Sequence, residues 1–233
     1  MPFMFFDPTM ILLVPAIILA MWAQWKVQHT YEEMSRVRAA NGLTGRDMAR
    51  QIMMRNGVSG VEVEAVNGTL SDHYDPRSRT VRLSSSNYAG DSISSIAVAA
   101  HEVGHVLQHQ QGYVPLQLRS GIAPVVGIAS TAAMPLFLIG LLIGPRLPFA
   151  GLLMDLGIVF FAGAVLFHLV TLPVEFDASK RALAELTSTG AVLPQEVAGA
   201  KKVLDAAALT YVAAAAVAAL QLVRLLVLRN NRR

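Results

Sequence analysis

Four long apolar runs constrain the fold of this chain more than any other feature. They occupy residues 9–25, 122–142, 149–171 and 206–228. Each is close to the ~20 apolar residues that an α-helix needs to cross a bilayer. Hydrophobic residues make up 54% of the chain and charged residues 15%, which is too apolar for an ordinary soluble domain. We therefore expect a mainly α-helical membrane protein with about four transmembrane helices.

The rest of the composition excludes several classes of function. The chain has no cysteine, which rules out a cysteine-ligated metal, a thiol nucleophile and disulfides. Its net charge is only +3, and the basic residues are better explained as flanking the membrane than as binding nucleic acid. No basic residue precedes the first apolar run, which predicts a retained anchor rather than a cleaved signal peptide.

The region between the first and second runs carries most of the charges and predicts a small α+β part. Asn67-Gly68 is a strong signal for a type I′ hairpin, so the strands on either side are expected to pair in a short antiparallel meander. The meander either supports the neighbouring helices or offers an edge strand to an extended substrate peptide. The expected elements are helices at 31–40 and 45–56 and strands at 61–65, 69–74 and 80–83.

An H-E-x-x-H motif lies in an apolar, alanine-rich stretch after the predicted strands. His101 and His105 are four residues apart, so on a helix they share a face and can ligate one metal ion. Glu102 follows the first histidine, where its carboxylate can reach a water at the metal without ligating it. Asp91, Ser92 and Ser94 are good capping residues and Gly112 is a natural stop, which predicts a continuous helix of about four to five turns between them. The pattern is typical of a zinc peptidase.

A catalytic zinc ion needs a third protein ligand from the same side of the membrane. Two spans intervene before the next candidates, in a segment that reads L-P-V-E-F-D-A-S-K-R-A from Leu172. Pro173 is expected to end the third span and open a new helix, with Glu175 in its first turn. Glu175 is the favoured third ligand. Asp177 is the alternative, although a favourable charge at a helix N-terminus explains it better.

Together these motifs resemble the YugP-like neutral zinc metallopeptidases of bacterial membranes. The resemblance rests on H-E-V-G-H-V-L-Q, on L-S-D-H-Y-D-P before it and on L-P-V-E-F-D-A-S-K-R-A after two spans, and it covers residues 9–228. It implies that Glu102 is the catalytic carboxylate. It also implies three zinc ligands, which are His101, His105 and Glu175. The chain looks more distantly like the HtpX and CAAX-processing peptidases, in which an Asp often follows the ligand Glu by four residues. Ser179 stands at that place here.

Four further residues are candidates for supporting roles. His168 lies in the third span, where an ionisable side chain is a functional candidate. It either donates a hydrogen bond to the developing oxyanion or bonds to a neighbouring helix. Arg181 is a second candidate for the oxyanion. Asp72 and His73 belong to the L-S-D-H-Y-D-P stretch and are candidates for bracing the site.

The expected function is that of a membrane-bound zinc-dependent endopeptidase with one catalytic zinc ion. The ion lowers the pKa of water to about 7 and polarises the scissile carbonyl. Glu102 takes the proton from the water and passes it to the leaving amine. Manganese or cobalt can occupy the same ligands in vitro. The alternative is a catalytically silent membrane scaffold or adaptor with a structural metal site, and a metal transporter has less support because few ionisable residues lie in the spans.

Location and partners follow from the spans. Basic residues near the span ends favour a multi-pass protein of the inner cell membrane with its catalytic side in the cytoplasm, although the basic C-terminal tail opposes this orientation. The substrate is expected to be a peptide or protein, including membrane-anchored ones. The small residues at 213–219 are a candidate homo-oligomer face. The expected parts are an anchor (1–25), a membrane-proximal catalytic region (26–121), two spans (122–171), a third-ligand helical segment (172–205) and a last span with a basic tail (206–233).

Overall fold

The chain is mainly α-helical in this computed structural model, which describes residues 8–144, 147, 149–188 and 192–231. A short 3₁₀ helix at Pro8–Leu13 comes first. The strands are β1 (Glu62–Val66), β2 (His73–Asp75) and β3 (Thr80–Ser84). The α-helices are α1 (Val14–Ser35), α2 (Gly45–Arg55), α3 (Ser85–Ala89), α4 (Ile93–Gln110), α5 (Val114–Ile143), α6 (Ala150–Ser188) and α7 (Pro194–Asn230).

Four helical segments in the described part of the chain are long and apolar enough to cross a membrane. They are Pro8–Ser35, Val114–Ile143, Ala150–Ser188 and Pro194–Asn230. This confirms a mainly α-helical membrane protein with a small α+β part. The helix expected at 31–40 is the end of α1 rather than a separate element.

The third span continues through Pro173 without a break, so the expectation that this proline ends one helix and opens another is wrong. A proline removes one backbone hydrogen bond, and packing against neighbouring elements can compensate for that loss. Val174 and Ala178, which follow the proline, are fully buried. Glu175 therefore lies inside the long helix α6 and not at a helix N-terminus.

The described residues divide into two compact units. The first holds most of the apolar helices and comprises the residues up to Trp22, Leu118–Leu172 and those from Tyr211 onward. The second comprises Ala23–Gln117 and Pro173–Thr210. Its hydrophobic core is built mainly from α2, α4 and β3, with contributions from the last turns of α6. The most deeply buried large side chains of this core are Met48, Ile52, Val81, Leu83, Ile96, Val103 and Leu186.

The three-stranded sheet in the second unit has the order β1-β3-β2. The strands β2 and β3 form an antiparallel hairpin, whereas β1 pairs with β3 in parallel. The predicted hairpin at Asn67-Gly68 is therefore wrong, because the strands on its two sides do not pair with each other. The physical reason lies in burial. The side chains of Val81 and Leu83 are fully buried, and β3 takes the central position, where both of its edges are paired.

The small residues of α7 are used within the chain. Ala213, Ala215 and Ala218 are buried there, and a homo-oligomer through this face stays a prediction. Three of the basic residues that bear on orientation, Arg146, Arg232 and Arg233, lie outside the described residues.

Candidate metal centre

The helix α4 carries both histidines of the motif. It begins after one of the three predicted capping residues and ends before the predicted stop. Ser92 is the N-cap, and its hydroxyl accepts a hydrogen bond from the Ser95 backbone N–H at 3.1 Å. Gly112 follows the helix with a φ of +64°, a conformation that favours glycine. Nearly all of α4 between these ends is buried, including Glu102 and His105. The helix is therefore a firmly packed support for the two imidazoles.

Two histidines of α4 and one glutamate of α6 come together within the second unit. The Nε2 atom of His101 lies 3.3 Å from Oε2 of Glu175. The Nε2 atom of His105 lies 3.5 Å from the same oxygen. The potential ligand atoms of the three residues all lie within 4.8 Å of one another, and no second group of this kind occurs among the described residues. The structure thus brings together the three residues that the sequence predicts as ligands.

The close approach of α4 and α6 depends on Gly104, which lies between the two histidines. A Cβ atom at this position would lie 2.5 Å from the carbonyl oxygen of Ala178 and 3.1 Å from its Cα atom. No side chain fits there unless a backbone shifts. Glu175 is three residues before Ala178 and hence on the same face of α6. The glycine contact therefore sets the distance at which the carboxylate reaches the histidines.

The three groups fit a catalytic zinc ion in donor type, number and spacing. Zinc binds imidazole nitrogen and carboxylate oxygen at about 2.0–2.2 Å, and a catalytic site keeps one position open beside three protein ligands. Two ligand atoms of such a tetrahedral site are about 3.4 Å apart, and the two His–Glu distances here are 3.3 and 3.5 Å. Glu175 is only 2% exposed, and a carboxylate so deeply buried needs a positive partner.

Glu102 lies near the three potential ligands without belonging to their group. Burial raises the pKa of its carboxyl group above the ordinary value, the two histidines oppose this rise, and Glu175 adds to it. A buried carboxylate with a raised pKa is suited to accept a proton and to release it again.

Burial lowers the pKa of His105, but the hydrogen bond with Glu175 and the charges of the nearby carboxylates outweigh this effect, so the pKa of His105 is raised.

Comparison with known proteins agrees with this geometry. Residues 9–230 match the family described as "Putative neutral zinc metallopeptidase". The chain belongs to this family. It is also 50% identical over 222 residues to the "Putative membrane protease YugP" of Bacillus subtilis (strain 168), a match that covers 95% of this chain and 96% of that protein. No solved structure matches the chain. The resemblance seen in the motifs is confirmed, and with it membership of a zinc metallopeptidase family for a membrane protein.

In this family member, each histidine has a polar contact on the ring nitrogen that does not face Glu175. Nδ1 of His105 lies 3.0 Å from Oε1 of Gln108. Nδ1 of His101 lies 3.2 Å from Oγ of Ser179. A zinc-bound histidine commonly donates its other N–H to an acceptor, which fixes its tautomer and orientation. The sequence interpretation missed Gln108, although its spacing three residues after His105 on one helix would have indicated it.

The position of Asp177 differs from the expected one. The helix is continuous there, so the explanation by charge at a helix N-terminus is wrong, and Asp177 does not belong to the ligand group. Its Oδ2 atom accepts hydrogen bonds from Nε2 of Gln108 and from Nε of Arg181. Arg181 also donates to Gln111 and lies over the ring of Tyr113. Asp177 and Arg181 thus connect α6 to the end of α4.

The other supporting candidates are placed as follows. Asp72 accepts hydrogen bonds from the backbone and hydroxyl of Ser84 and from Nδ2 of Asn87, and so joins β3 to α3. His73 is exposed on β2, and its ring bonds with a carbonyl oxygen of the preceding loop. His168 lies in α6 in the other compact unit. Their roles in catalysis stay predictions.

Proposed function

We propose that the protein is a membrane-bound zinc endopeptidase that hydrolyses peptide bonds with water and without a covalent intermediate. One zinc ion is held by His101, His105 and Glu175, and Glu102 acts first as general base and then as general acid. The observation that carries the proposal is the convergence of two imidazole nitrogens and a buried carboxylate beside a second buried carboxylate. A structural zinc site is closed by four protein ligands, whereas three ligands leave a position for a reactant.

The task of each residue follows from its place. When bound, zinc supplies a Lewis acid that polarises the scissile carbonyl and makes a water molecule acidic enough to lose a proton near neutral pH. The Glu102 carboxylate takes this proton while the water oxygen bonds to the carbonyl carbon. It then gives the proton to the leaving nitrogen as the C–N bond breaks, and so returns to its starting state. Its burial limits proton exchange with bulk water.

The proposal extends to location and substrate class. Basic residues near the span ends, among them Lys26, Arg36 and Lys201, favour an active site on the cytoplasmic side of the inner membrane. Glu175 lies on the continuous helix α6, just beyond the apolar run at 149–171. This proximity to the membrane favours peptides or proteins that are anchored in the bilayer or lie next to it.

The test pairs metal content with cleavage on the full-length protein in detergent. Wild type is compared with Glu102→Gln, with Glu175→Ala and with the control Glu33→Gln, which changes an exposed carboxylate of α1. About one zinc ion per chain is expected in wild type, Glu102→Gln and Glu33→Gln. Casein and a membrane-anchored reporter peptide should be cleaved only by wild type and by Glu33→Gln. Glu175→Ala should lose both metal and cleavage.

Three results would contradict the proposal in different ways. Cleavage by Glu102→Gln would mean that another group moves the proton. Full zinc occupancy in Glu175→Ala would mean that the third ligand lies elsewhere. A wild type that holds zinc and cleaves neither substrate would favour the alternative of a scaffold with a structural metal.

A further inference from the structure

Gln108 is a buried amide that bridges α4 and α6 directly behind one of the histidines. It is 0% exposed. Its Nε2 atom donates to the carbonyl oxygen of Val174 at 2.8 Å and to Oδ2 of Asp177 at 2.8 Å. Its Oε1 atom lies 3.0 Å from Nδ1 of His105. Three of the four hydrogen bonds that the amide can make are thus made within the protein itself.

These contacts determine which way the amide points. A carbonyl oxygen and a carboxylate oxygen only accept hydrogen bonds, so the NH₂ end must face Val174 and Asp177. The reversed amide would place its oxygen against both acceptors and leave a buried polar group without a donor, which costs free energy. The oxygen of Gln108 therefore faces His105.

The orientation of the amide has a consequence for the imidazole. An oxygen acceptor next to Nδ1 of His105 requires that this nitrogen carries the proton. In a neutral ring, the lone pair then lies on Nε2. That is the atom 3.5 Å from Oε2 of Glu175. Gln108 thus selects the tautomer whose free nitrogen faces the candidate metal centre.

Asp177 and Arg181 hold the amide in place from the other side. The Asp177 carboxylate accepts from Gln108 and from Arg181, so it cannot swing away without breaking both bonds. Arg181 is in turn held by Gln111 at the end of α4. The negative charge next to the NH₂ group polarises the amide and strengthens its oxygen as an acceptor.

We propose that Gln108 is a positioning residue that, secured by Asp177, locks His105 in the Nδ1-protonated tautomer and presents Nε2 to the metal. The role rests on the proposed function for the identity of the metal ligands. It adds a requirement that H-E-x-x-H does not contain, namely an acceptor three residues after the second histidine. It also gives Asp177 a task, which is to orient the amide rather than to bind metal.

The test measures metal affinity and metal geometry on the full-length protein in detergent, with the cleavage rate recorded separately. Gln108→Met removes the acceptor at nearly constant side-chain volume. Gln110→Met is the matched control, because it makes the same change at an exposed position of the same helix. The readouts are the zinc dissociation constant from competition with a chelator and the visible absorption spectrum of the cobalt-substituted protein. Gln108→Met should weaken zinc binding about 10- to 100-fold and change the cobalt spectrum, whereas Gln110→Met should leave both near wild type.

A rescue separates a specific role from a general packing defect. In the double variant Gln108→Glu/Asp177→Asn, one oxygen of the carboxyl group introduced at position 108 accepts from His105. Its other oxygen carries the proton, donates it to the carbonyl oxygen of Val174 and accepts from the amide introduced at position 177. Zinc affinity should recover at least tenfold relative to Gln108→Met. Wild-type affinity and spectrum in Gln108→Met, or no recovery in a double variant that melts like wild type, would overturn the proposal. A wild type that binds zinc without cleaving would contradict the proposed function and leave this comparison of affinities intact.

Discussion

Replacing Gly104 by alanine adds one methyl group at the closest contact between α4 and α6. Ordinary van der Waals contact begins at 3.4 Å, and the added Cβ would lie 2.5 Å from the carbonyl oxygen of Ala178. The two backbones must therefore separate by about 0.9 Å, because neither atom belongs to a flexible side chain. Overpacking of this kind costs about 1–3 kcal/mol of folding free energy.

The larger effect is expected at the metal centre. His101 and His105 flank the glycine, and their Nε2 atoms lie 3.3 and 3.5 Å from Oε2 of Glu175. A metal site tolerates deviations of only about 0.2 Å in its bond lengths. A separation of almost 1 Å should therefore weaken zinc binding by at least tenfold, which is the effect of removing a hydrogen-bond partner of a zinc ligand. It should also reduce the cleavage rate by about 100-fold.

The assay measures the zinc dissociation constant by chelator competition and the rate of peptide cleavage for Gly104→Ala in detergent. Gly163→Ala is the matched control, because it makes the same change in α6 at a site with no heavy atom within 4 Å of the added Cβ. The control should match wild type in both measurements. If Gly104→Ala also matches wild type in both, the close approach of the helices does not set the geometry of the site.

Three further predictions concern the surroundings of the site and the acid stability of the second unit. Ser179→Ala should weaken zinc binding about tenfold, because Nδ1 of His101 loses its 3.2 Å contact with the Ser179 hydroxyl. Ser179→Asp should restore the zinc affinity, and chelator competition measures both variants. Removal of zinc with EDTA should lower the melting temperature, and zinc at about 100 times its dissociation constant should add about 2.7 kcal/mol of stability; an unchanged melting temperature would mean that the folded protein does not bind zinc. Hydrogen bonds from Ser78 and Arg77, with a smaller contribution from Arg82, lower the pKa of Asp75 from 3.8 to about 2. The stability that the ionised Asp75 contributes is therefore complete above pH 3.8 and is lost as the pH falls through 2. Asp75→Asn should therefore flatten the loss of stability over this pH range in acid unfolding followed by circular dichroism, and an acid limb identical to that of wild type would contradict this assignment.

The sequence predicts much of this protein because the relevant signals are local. Length and hydropathy are sufficient to identify a spanning helix, since lipid leaves the backbone no other way to pair its polar groups. The cap at Ser92, the stop at Gly112 and the i, i+4 spacing of His101 and His105 are likewise properties of a single helix. Glu175 is predicted because the segment after the third span lies on the same side of the membrane as His101 and carries carboxylates, although the helix start expected at Pro173 is wrong.

The features that local signals do not predict all depend on contacts between distant parts of the chain. The parallel pairing of β1 with β3, against the turn signal at Asn67-Gly68, reflects which strand buries most surface in the assembled core. The continuity of α6 through Pro173 reflects packing around it, which no propensity scale contains. The bond between Gln108 and Asp177 joins residues 69 positions apart. A short stretch of sequence indicates where a turn is favoured or where a proline destabilises a helix. The packing energy that overrides these local preferences comes from contacts throughout the fold.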